Sequence, residues 1–103
     1  MGVKRKADLL RGIVQQIPIE RTTITLMDEE WQQVERMTCD ICESIAKAIE
    51  QQTFVSQNVL NYTMANCVAR VMKLNCDMFG YVGGEEDYMG LLIRRIWRNL
   101  KEK

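Results

Sequence analysis

Cys39 and Cys42, three residues apart, with Cys67 and Cys76 further along, are the first side chains in this sequence able to do chemistry. Four thiolates can hold a tetrahedral zinc ion, usually as two closely spaced pairs. Here the second pair is nine positions apart. On helices turning about 100° per residue, Cys67 lies in the middle of an apolar stripe and Cys76 almost opposite, while Cys42 flanks its own stripe and Cys39 points away. The four side chains do not converge. The expectation is no metal and no cofactor, with two small buried thiols and two surface ones. A thioredoxin-like role needs a strand-to-helix turn that the sequence does not offer.

Other chemistries are as poorly equipped. The chain has no His, which removes the commonest general base and metal ligand. The glycine-rich stretch Gly80-Tyr81-Val82-Gly83-Gly84 precedes a helix, as a phosphate loop would. A phosphate loop continues into Lys and Ser or Thr, whereas this one continues into Glu85-Glu86-Asp87, which repel an anion. It reads as a turn that could present Tyr81 at its tip. Residues 28–50 hold seven acids against two bases, and Glu29, Glu35 and Glu43 form a candidate acidic docking surface for a basic partner. No nucleophile–base motif is present, so the expectation is a protein that is not an enzyme.

Basic residues gather at the two ends. Lys4, Arg5, Lys6 and Arg11 open the chain, and Arg94, Arg95 and Arg98 stand near its close. Segregated onto one face, such groups let a chain of zero net charge bind nucleic acid, which is the alternative reading. Ile93, Arg94, Trp97 and Leu100 are the candidate protein interface, because the last helix carries an apolar surface broader than one core stripe. Seven methionines suit adaptable contacts.

The elements that position these residues follow from 3.6-residue periodicity. A first helix over Lys4–Gln16 carries Leu10, Ile13, Val14 and Ile17 and stops at Pro18. Thr22-Thr23-Ile24-Thr25 is β-branched, and the Thr22–Leu26 segment reads first as a connector, alternatively as a short extended piece able to pair between two subunits. A second helix starts near Thr25 or Asp28, with Thr25 and Asp28 as a capping pair, and runs to about Gln51. A third follows Ser56 as N-cap and aligns Leu60, Met64, Cys67, Val71, Leu74 and Met78, alternating steps of four and three residues as a helix-to-helix seam does. Gly80 ends it, and the last helix runs from acids at 85–87 to bases at its close.

The expected fold is therefore all-α, a small bundle of about four helices in one domain over 1–103. Its 103 residues can bury only a thin core, so self-association, most simply as a homodimer, is expected. The apolar stretch behind the basic start is cut by Asp8 and Arg11, and no run is long enough to span a bilayer. With four cysteines and no secretory signal, the expected location is cytoplasmic. The leading function is a non-enzymatic helical module that binds another protein: an adaptor, inhibitor or phage-type regulator.

Overall fold

A computed structural model describes residues 2–21 and 25–102. The fold is all-α, with four helices and no strand among the described residues: α1 (Val3–Gln16), α2 (Asp28–Glu50), α3 (Gln57–Phe79) and α4 (Glu85–Lys101). The chain divides into two compact units, Met1–Val55 and Ser56–Glu102.

Helix boundaries fall where the punctuation residues stand. Pro18, two residues past α1, lacks the N–H that another turn would require. Ser56 caps α3, its Oγ accepting the Val59 N–H at 3.2 Å. Gly80 closes α3 at φ +92°, and Gly84 precedes α4 at φ +75°, conformations that a side chain resists. The start of α2 differs from expectation. Its cap is Met27, whose N–H is accepted by the Glu30 carboxylate at 3.0 Å, rather than a Thr25–Asp28 pair. Glu30 can reach back across one turn, whereas Thr25 lies outside the helix. Thr22, Thr23 and Ile24 lie outside the described residues, and Thr25 and Leu26 have no regular structure.

In the first unit α1 and α2 pack closely. Ala7 on α1 and Ala46 on α2 are both fully buried, and side chains this small let helix backbones approach. Ile49 and Val55 complete the buried set. Full burial of each such side chain is worth roughly 1.5–3 kcal/mol, so this apolar core is thin. The inner face of α2 takes in Cys39, expected to point away, which is half-buried alongside Cys42, whereas Ile41 and Ala48 are exposed.

The second unit buries still less. Among its described residues only Cys76 is buried, and α4 buries none. The two thiols of α3 have exchanged their expected places: Cys76 is 6% exposed, and Cys67, in the middle of the seam, is exposed. The reason is the width of the apolar surface of α3. Its apolar residues cover an arc of roughly 220° at 100° per residue, and α4 shares a cleft with the Ala65–Val68–Ala69–Met72 part of that arc and, of the seam, with Met64 at its border.

Ser56→Ala should lower the stability of the α3 helix by about 1 kcal/mol, and Ser56→Gly by only a few tenths. Urea unfolding followed by helical circular dichroism measures both, and equal losses would show that the hydroxyl does not act as a cap.

Candidate functional site

Arg11 is the electrostatic centre of the first unit. Its Nε donates to Glu43 Oε2 at 2.9 Å and one terminal nitrogen donates to Glu43 Oε1 at 3.0 Å, a two-pronged fork. The other terminal nitrogen reaches Asp8 Oδ1 at 3.1 Å and the Glu50 carboxylate. One guanidinium thus gathers three carboxylates and ties α1 to the acidic flank of α2. These contacts raise the Arg11 pKa further, and they hold the Glu43 carboxyl below its usual 4.5. The fork was not foreseen from sequence. One signal was available: Glu43 and Glu50 are seven residues apart, hence on one helical face, and that face needs a cation.

This arrangement sorts the expected site residues. Glu29 and Glu35 are exposed on α2, but Glu43 is engaged by Arg11 and does not extend their surface. Of the basic N-terminal group, Lys4 and Arg5 are exposed. Lys6 donates from Nζ to the Val55 carbonyl and lies 5.3 Å from the Phe54 ring centroid, and Arg11 is occupied as described. Two of these four cations therefore hold the first unit together. In the second unit Arg94, Arg95 and Arg98 are all exposed.

Two of the thiols, Cys42 and Cys76, are pushed toward their protonated form. Cys39 and Cys42 border an open depression of about 310 Å³ with Arg11, Val14 and Glu43. Desolvation pushes the Cys42 thiol up, with a smaller contribution from Cys39. Local burial does the same at Cys76, reinforced by Glu85, Asp77 and Glu86. Both favour the protonated thiol, whereas the thiolate is the nucleophile and metal ligand. Among the described residues no three Cys, Asp or Glu side chains come together as a metal-ligand group.

The glycine-rich turn is self-satisfied. The Glu85 carboxylate accepts the N–H groups of Val82 and Gly83, the latter at 2.8 Å, and these bonds hold its pKa below the usual value. An anion approaching those donors would have to displace a carboxylate already bound. Tyr81 is folded back, its hydroxyl donating to Asp77 Oδ1 at 3.0 Å beside the Lys73–Asp77 ion pair of 3.1 Å.

The apolar residues of α4 remain. Ile93 is 49% and Trp97 58% exposed, Leu100 is half-buried, and Arg94 is exposed. At about 100° per residue Leu100, Ile93 and Trp97 form one contiguous edge, and Arg94 flanks it. The structure thus brings three of the four expected interface residues together and sets the fourth at their border. Ile93 also lines the cleft of about 370 Å³ between α3 and α4, with Met64, Met72 and Met89 around it and Gly90 in its wall. Compared with known protein families, curated proteins and solved structures, the chain matches none.

The Arg11 cluster gives the first unit a pH dependence. The Glu43 pKa is lowered on folding, so its ion pair stabilises the fold above the ordinary carboxyl value of 4.5 and that stability is lost as pH falls through the lower folded value. Glu43→Gln should lower the urea midpoint near about pH 7 and narrow its gap from wild type near about pH 3. A gap of the same size at both pH values would show that the pair contributes nothing. Arg11→Lys should behave like a partial loss, because an ammonium cannot supply the fork.

Proposed function

We propose that this chain is a non-enzymatic helical interaction module that self-associates and offers the α4 edge, Ile93, Trp97 and Leu100 with Arg94 beside them, to another protein. One observation carries the reading. The second unit has two long helices rich in apolar side chains and buries only Cys76. Large exposed apolar surface of this kind marks contact sites, and aromatic and arginine side chains dominate their energetics. The methionines around the α3–α4 cleft supply flexible, polarisable walls that can refit to a bound side chain.

Catalysis has less support. The two thiols with shifted pKa favour the protonated form, the glycine-turn donors of Val82 and Gly83 bind their own Glu85, and Glu43 is held by Arg11. The nucleic-acid alternative keeps exposed Lys4, Arg5, Arg94 and Arg98, whereas Lys6 and Arg11 are engaged in structural contacts. No helix of the described residues is long and apolar enough to cross a membrane, and all four cysteines are free thiols, which fits the proposed cytoplasmic location.

Sedimentation equilibrium of the full chain should find dimers or higher oligomers. A strictly monomeric chain up to about 200 µM would overturn the self-association part of the reading. Trp97→Ala and Ile93→Asp should each weaken binding at the α4 edge by about tenfold or more, as loss of a central contact residue does. A loss of binding as large for Arg98→Ala, accompanied by duplex DNA binding that falls steeply with salt, would favour the nucleic-acid alternative instead.

A further inference from the structure

Cys39 and Cys42 lie one turn apart within α2, and both thiols are free and half-buried. They border one open depression, whose walls include Arg11 of α1 and Glu43 of α2. Residues three apart on a helix place their Cα atoms about 5 Å apart, inside the range that a disulfide spans. Their Cβ atoms stand about 5–6 Å apart, whereas a disulfide holds them at about 3.5–4.5 Å. Joining the two sulfurs therefore requires this turn to tighten by about 1–2 Å. The turn is already perturbed: Ser44 Oγ donates to the Asp40 carbonyl at 3.0 Å, a back-bond that weakens and bends a helix.

We infer that Cys39 and Cys42 form a reversible disulfide within α2 that loosens α1 from α2. The oxidant is a small-molecule disulfide of the glutathione class. The Cys39 sulfur attacks one glutathione sulfur, breaks the S–S bond and releases one glutathione thiol, which takes the proton that Cys39 gives up. The Cys42 sulfur then attacks the Cys39 sulfur and releases the second glutathione thiol, which takes the Cys42 proton. Two protein thiols are oxidised to one disulfide, and one glutathione disulfide is reduced to two thiols. Burial favours the protonated form of Cys42, which suits it to the second step, where a neighbouring sulfur at high effective concentration offsets a small thiolate fraction.

Closure of the bond reaches the α1–α2 contact through Glu43, the next residue after Cys42. The Glu43 carboxylate sits in the Arg11 fork at 2.9 and 3.0 Å, and such bonds are lost when the acceptor moves by about 1 Å. The guanidinium cannot simply follow, because Asp8 and Glu50 hold its other terminal nitrogen. The buried apolar set of this unit is small, so it cannot absorb the loss of the fork. Strain of this origin also makes the bond easy to reduce, as regulatory disulfides are. The device is separate from the self-association and the α4 contact proposed above.

The test equilibrates the full wild-type chain with oxidised and reduced glutathione, alkylates it and cuts it with trypsin. Cleavage after Arg36 and Lys47 leaves Cys39 and Cys42 as the two cysteines of peptide 37–47. At oxidising ratios this peptide should escape alkylation and weigh two hydrogens less, and dithiothreitol should return it to the doubly alkylated form. Amide exchange along α1 should run about tenfold faster in the oxidised chain. In Glu43→Gln, where the fork is already weakened, oxidation should speed that exchange by no more than about threefold. A peptide doubly alkylated at every ratio, glutathione left on both cysteines, or either cysteine bonded to a second chain overturns the disulfide. A disulfide that forms without changing α1 exchange, or that changes it equally in Glu43→Gln, overturns its effect on the two helices. Because the wild-type chain alone decides bond formation and the change in exchange, a Glu43→Gln chain that does not fold leaves the test intact.

Discussion

A helix whose apolar side chains occupy more than half of its circumference cannot be satisfied by a single neighbouring helix. In α3 this constraint governs most of what the second unit does. On α3 the arc through Ala65, Val68, Ala69 and Met72 borders the α4 cleft, with Val68 and Met72 half-buried there, while the arc through Val71, Leu74 and Met78 stays in water. It also explains why the buried thiol is Cys76 rather than Cys67, and why α4, with no fully buried residue of its own, keeps Trp97 exposed. Apolar surface left in water costs roughly 25 cal/mol per Å², so the exposed seam is a reservoir of association energy.

The first unit is held by different means. Its buried residues are few and small, and charged side chains tie its two helices together. Arg11 draws Glu43 and Glu50 of α2 and Asp8 of α1 onto one guanidinium, while Lys6 fastens α1 to the segment at Phe54 and Val55. Both cations sit in the N-terminal group that nucleic-acid binding would require. Charge that serves as a fastener inside a fold is not free to serve as an electrostatic lure outside it.

Much of the secondary structure was legible in the residues. Pro18, Ser56, Gly80 and the acids at 28–30 and 85–87 mark ends by local chemistry, which acts within one helical turn and needs no knowledge of the rest of the chain. The orientation of each helix was less legible. Periodicity identifies an apolar arc, but where that arc is wide, as in α3, the part that meets a neighbour depends on that neighbour. On α2 the inner face takes in Cys39 and Ala46 because Glu43 and Glu50 are drawn to Arg11, a partner 32 and 39 residues away in sequence. The α4 edge was readable because Ile93, Trp97 and Leu100 fall together on any helix. The displacement of the cap from Thr25 to Met27 was hidden because Glu30 competes for the same turn.

The near absence of a private core in the second unit has a consequence for how the chain behaves in a cell. If α3 and α4 draw their stability from a second copy, their folding is second order in protein concentration. At low abundance the helices would fray and be open to proteolysis, and above a threshold set by the dissociation constant they would be kept. Synthesis would then produce little folded protein at first and disproportionately more later. Dilution, as in a growing and dividing cell, would remove the protein faster than its dilution alone accounts for. On the proposed self-association, a helix with more apolar surface than its own unit covers would act as a sensor of how many chains are present.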